Sequence, residues 1–129
     1  MNQRVLGADA LIAHARALLT LAESLGEDQP GTGGLAYQAA DLSIKVLLIA
    51  VEGADTWSHE ARRARVKELL GIAADDQAFL HRVRQLDFYA DATFGGKLEL
   101  PSVQERGRSI TIARAIVDAV EAHRARASG

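Results

Sequence analysis

The densest run of chemically capable side chains is HRVRQLDFYAD, residues 81–91. On a helix, Arg84 and Asp87 stand three apart and Arg84 and Phe88 four apart, so the guanidinium can pair with the carboxylate or stack on the ring. Asp87 and Asp91 are four apart, which sets two carboxylates beside Arg84 on a polar face that also carries an aromatic. Arg84, Asp87, Phe88, Tyr89 and Asp91 are therefore the candidate ligand or interface residues. The same spacing also describes an ordinary intrahelical ion pair, with Tyr89 as a half-buried ring whose hydroxyl meets water.

Positive charge is the second signal. Arg62, Arg63, Arg65 and Lys67 crowd one short segment, Arg82 and Arg84 a second, and Arg106, Arg108 and Arg114 a third. Brought to one face, they would form a basic groove able to neutralise several phosphates. Glu60, Glu68, Asp87, Asp91 and Glu105 are interleaved with them, which equally describes a solvated, salt-bridged surface. The formal net charge of -2 argues against a protein whose overall charge is built for DNA.

Other chemistries find little support. The chain has no cysteine, which removes disulfide scaffolds, thiolate zinc sites, iron-sulfur clusters and cysteine nucleophiles together. His59-Glu60 begins like the zinc motif His-Glu-x-x-His, but position 63 is Arg, and no Glu-x-x-His pair of the di-iron kind occurs. The histidines at 14, 59, 81 and 123 fall on separate helical segments, so neither a metal site nor a cofactor is expected. Gly31-Thr32-Gly33-Gly34 precedes a helix, where free N–H groups can hold an anion, yet it lacks the Gly-Lys-Ser/Thr ending of a phosphate-binding P-loop. It reads more simply as a connection and helix start. A Gly-x-Ser-x-Gly nucleophile elbow is also missing.

The elements that must position these residues are helical. Of the 129 residues, 48% are hydrophobic, only 5% are aromatic and two are prolines, so Ala, Leu, Ile and Val carry the apolar content of one domain spanning residues 1–129. Leu11, Ile12, Ala15, Leu18, Leu19, Ala22 and Leu25 line one face of a helix over 8–25, with Gly26 as its stop. A second helix runs over 35–52 to Gly53, and its IKVLLIAVE half, apolar apart from Lys45, marks it as the most buried. Ser58 caps a third helix over 58–70, stopped by Gly71. A fourth begins near Asp75 or Asp76, buries Phe79, Leu80, Val83, Leu86 and Ala90, and ends at Phe94-Gly95-Gly96. Ser102 and Glu105 form a capping box for a fifth, in which Val103, Ile110, Ala113, Val117 and Val120 keep the helical period to about His123. Four to five antiparallel helices on short connections predict an all-α, up-and-down bundle.

The longest uninterrupted apolar run, Val46 to Val51, falls far short of the ~20 residues a membrane span needs. No signal peptide is evident at the start of the chain. A cytoplasmic protein without membrane contact is the expectation.

The segments AYQAADLSIKVLLIA, WSHEARRARVKELL, RVRQLDFYAD and LPSVQERGRSITIARAIVDAV, in that order, resemble the HEPN domain family of prokaryotic helical bundles over roughly residues 35–121. The resemblance implies a HEPN-like bundle that forms a homodimer and acts in toxin-antitoxin, defence or RNA-processing systems, sometimes beside a nucleotidyltransferase partner. Active members cleave RNA with an Arg followed four to six residues later by His. Here no Arg has a His at that distance: Phe88, Tyr89 and Ala90 stand four to six residues after Arg84, and Asp91 follows. Without imidazole, a general base near neutral pH is not evident, and a phenol with a pKa of about 10 is a poor substitute. The expectation is therefore a non-catalytic, dimeric module that binds a protein partner or RNA or a nucleotide. The alternative is a metal-independent RNase or nucleotide-processing enzyme using the Arg84/Asp87/Tyr89 face.

Overall fold

The computed structural model describes residues 7–53, 58–89 and 99–128. They form five packed helices, α1 (Ala8–Leu25), α2 (Thr32–Glu52), α3 (His59–Leu70), α4 (Ala74–Tyr89) and α5 (Val103–Ser128), and no strand occurs among the described residues. Ala90, Asp91 and the FGG stop at 94–96 lie outside them, as does the Tyr89 side chain.

Helix α2 is the hub and packs against α1, α4 and α5. It is long and apolar enough to cross a membrane by length and composition, and half of that stretch is buried inside the bundle. The core joins Leu19 of α1, Ile44, Leu47 and Leu48 of α2, Val66 of α3, Leu80 of α4 and Ile116, Val117 and Val120 of α5. Val66 is the single fully buried residue of α3, as its charged sequence requires. Two residues expected in apolar stripes are more open: Leu25 and Val103 sit at helix ends, 44% and 39% exposed.

Local capping signals set most of the boundaries. The Ser58 hydroxyl accepts from the Ala61 N–H at 3.2 Å, and Gly53 and Gly71 end α2 and α3 with φ of 77° and 75°, a conformation that glycine alone adopts without cost. At α5 the Glu105 N–H donates to Ser102 Oγ at 3.1 Å while the Ser102 N–H donates to Glu105 Oε1 at 2.9 Å, a reciprocal box. Ser102→Ala is expected to lower stability by about 1 kcal/mol, measured by urea denaturation. A loss as small as that of an exposed Ser→Ala elsewhere would show that the box contributes nothing.

Helix α2 starts at Thr32, three residues before the sequence expectation, because its first turn is capped from another helix. Asp87 Oδ1 accepts from the Gly31 N–H at 2.9 Å and Asp87 Oδ2 from the Gly33 N–H at 2.8 Å. The Thr32 hydroxyl ties the preceding turn through the carbonyls of Gly26 and Gln29. Helix α5 runs five residues past His123, and its outer face is pinned to α1 by Arg16 on Asp118 and Glu121, Arg114 on Glu23, and Arg124 on Asp9. These pairs are largely exposed and individually worth little.

Candidate functional site

Three polar stripes, one on each of α2, α3 and α4, meet in a cleft. Tyr37, Asp41 and Lys45 recur every fourth residue and so share one face of α2. His59, Arg62 and Arg63 occupy the first turns of α3, and Gln77, His81 and Arg84 line a face of α4. The Gln77 amide holds α4 to α3 by donating to the carbonyls of Arg63 and Ile72 at 3.0 and 3.1 Å.

The rings of His59 and His81 approach to 5.4 Å between centroids, and those of His81 and Tyr37 to 5.7 Å in an edge-on arrangement. The Arg84 guanidinium stands over Tyr37, 5.0 Å from the ring centroid. Asp41 anchors the α3 side: Arg62 Nη2 reaches Oδ1 at 2.7 Å and Lys45 Nζ reaches Oδ2 at 3.2 Å. Inside lies a recess of about 30 Å³ whose apolar wall is Ala40, Ile44, Leu80 and Ile116. An adjoining open basin of about 340 Å³ is lined by Tyr37, Gln38, Asp41, Lys45, His59, Arg62 and Arg84.

The electrostatics of the cleft favour anions. Burial pushes the His81 pKa below its ordinary value, and the charges of His59, Arg63 and Arg84 push it further down, with Asp41 opposing. At neutral pH, His81 is therefore mainly the neutral base. Burial raises the Tyr37 phenol and so does Asp41, against Arg62, Arg84 and Lys45, so its hydroxyl stays protonated.

The structure distributes the sequence candidates unevenly. Arg84, Arg62 and Arg63 reach the cleft. Asp87 does not pair with Arg84; its side chain is fully buried at the start of α2 and binds Arg106, with Nη2 at 3.0 Å and Nε at 3.2 Å from Oδ1. The anion at the Gly31–Gly34 loop is thus the protein's own carboxylate. Phe88 covers Gly34 and is 45% exposed, while the Tyr89 side chain and Asp91 fall outside the described residues. Arg65 pairs with Glu52 and Glu68, and Lys67 is exposed. Arg106, Arg108 and Arg114 pair with Asp87, Asp76 and Glu23, so the basic residues of α5 do not join those of α3 in one groove.

Sequence reasoning placed the histidines on separate helices, and that separation concealed the site: His59 and His81 are brought together by α3 packing on α4. The usable signal was the polar stripe Tyr37–Asp41–Lys45 in an otherwise apolar helix. Among the described residues, no group of three or more His, Asp or Glu is arranged to hold a metal. No protein-family model, curated protein or solved structure matches the chain.

Proposed function

We propose that the protein is a helical binding module whose α2–α3–α4 cleft takes a phosphate-bearing ligand, RNA or a nucleotide. The observation that carries this reading is the convergence of Arg62, Arg63 and Arg84 with two imidazoles, from two helices, on one cleft made of the recess and its adjoining basin. Binding of this kind suits the resemblance to HEPN bundles and the dimeric toxin-antitoxin or defence setting, with a nucleotidyltransferase partner, that the resemblance implies. The exposed side chains of Phe88, Leu100 and Val103 offer apolar area for a second copy or a protein partner.

The test is fluorescence anisotropy with a short labelled RNA at several salt concentrations. Arg63→Ala with Arg84→Ala is expected to weaken binding at least tenfold. The slope of log affinity against log salt should become shallower by about one for each phosphate that the double variant no longer neutralises. Undiminished affinity in the double variant, or no binding by the parent at low salt, would overturn the reading.

A second reading, a metal-independent RNase, draws on the 5.4 Å approach of His59 and His81, since a pair of imidazoles can move protons on the two sides of a phosphodiester. Asp87, buried on Arg106, takes no part in it. RNA cleavage that disappears in His81→Ala would favour this reading over binding alone.

A further inference from the structure

The recess has a blind end. Its apolar wall, Ala40, Ile44, Leu80 and Ile116, is at most 4% exposed, so a strand cannot thread through it and a ligand enters from the basin side alone. Its volume of about 30 Å³ holds roughly two water-sized atoms, the outer oxygens of one phosphate. The basin outside is about 340 Å³ and has room for what that phosphate is attached to. The polar groups at the boundary between the two are Arg63, the imidazoles of His59 and His81, and the Arg62–Asp41 pair.

Building on the proposed ligand class, we infer that the cleft is a receptor for a terminal phosphate monoester, carried either by a free nucleotide or by the end of an RNA strand. A monoester carries about -1.5 to -2 charges at pH 7 and three acceptor oxygens, whereas an internal diester carries one charge and two free oxygens. A pocket with several cations and two imidazoles discriminates in favour of the former on charge.

Proton uptake accompanies binding. His81 faces Tyr37 and Asp41 on α2, His59 and Arg63 on α3, Arg84 on its own helix and apolar Ile116 on α5. Burial first, and the surrounding cations second, hold it neutral in the free protein; a bound dianion opposes both by its own charge and favours the imidazolium. Affinity therefore rises as pH is lowered from 8 to 7, over which the phosphate stays mostly the dianion.

The experiment is isothermal titration calorimetry on the full chain. The probes are one oligoribonucleotide with a 5′-phosphate, a 3′-phosphate or hydroxyls at both ends, and a nucleoside with its monophosphate. The phosphorylated form of the strand, the nucleoside or both is expected to bind at least tenfold tighter than its hydroxyl counterpart, and the pair showing the gain identifies the source. Heats should vary with the ionisation enthalpy of the buffer, and His81→Gln should remove that variation. Arg63→Gln should weaken binding of the phosphorylated probe at least fivefold whether or not the His81 variant folds. Equal affinity for phosphorylated and hydroxyl-ended probes would overturn the terminal-phosphate inference while leaving RNA binding intact. No binding by any probe would overturn both.

Discussion

Replacing Asp87 with alanine is expected to remove about 3–5 kcal/mol of folding stability, the cost of breaking a buried ion pair from one side. The Asp87 side chain is completely buried and that of Arg106 is 8% exposed, so the guanidinium left behind cannot recover its hydration. Two helix N–H groups, of Gly31 and Gly33, lose their acceptor in the same step, and the positive end of α2 loses its counter-charge. For a chain of this length the loss corresponds to roughly 10–20 °C in Tm. Chemical denaturation of the parent and variant measures it, and a change below about 1 kcal/mol would show that water reaches Arg106.

Arg106→Met should cost less. Asp87 then keeps both backbone donors and the dipole of α2, and the methionine fills part of the vacated volume. The double variant separates the two contributions: if Asp87 acts mainly through Arg106, its cost in the Arg106→Met background shrinks to that of the helix cap alone. Asp87 also sits three residues after Arg84, so the contact that starts α2 sets the register of α4 against Tyr37. Asp87→Ala should therefore also weaken the proposed binding of RNA or a nucleotide in the cleft, although Asp87 itself lies outside it.

The contrast between Asp87 and the capping boxes explains how much of the molecule was legible in its sequence. Ser58, Gly53, Gly71 and the Ser102–Glu105 pair act within a turn of their own position, and all were readable. Asp87 caps a helix whose first residues lie 56 and 54 positions earlier, and no local pattern encodes that. The same holds for the cleft. Arg62, Arg63 and Arg84 were conspicuous as charges, but their convergence with His59, His81 and Tyr37 exists only after α2, α3 and α4 pack. A three-apart Arg–Asp pair on one helix suggested an intrahelical bridge. Packing overrode it, because the start of α2 offers Asp87 two buried donors and Arg106 a buried partner.

Gly33→Ala and Gly34→Ala, adjacent substitutions in the first turn of α2, should have opposite severity. In an exposed helix each exchange would gain up to about 1 kcal/mol from helix propensity, so the surroundings decide the sign. A Cβ on Gly33 would stand 2.5 Å from Val83 Cγ1 and 3.1 Å from Asp87 Oδ2. Val83 is fully buried, and its β-branched side chain has little rotamer freedom to withdraw. The strain must then move α4 or push Asp87 off the Gly33 N–H, and Gly33→Ala is expected to cost about 2–4 kcal/mol. A Cβ on Gly34 meets the ring of Phe88 instead, which is 45% exposed and can rotate outward about its own side-chain bonds. Gly34→Ala should therefore stay within about 1 kcal/mol of the parent, the weakened ring packing offset by the helix gain. Adding Phe88→Ala removes the obstacle at Gly34 and leaves the one at Gly33 in place, so it should make Gly34→Ala favourable and leave the cost of Gly33→Ala unchanged. Urea denaturation of the two glycine variants, each with and without Phe88→Ala, measures all four effects. Equal losses for the two glycine variants would mean that α2 and α4 separate as rigid bodies and that neither neighbour governs the cost.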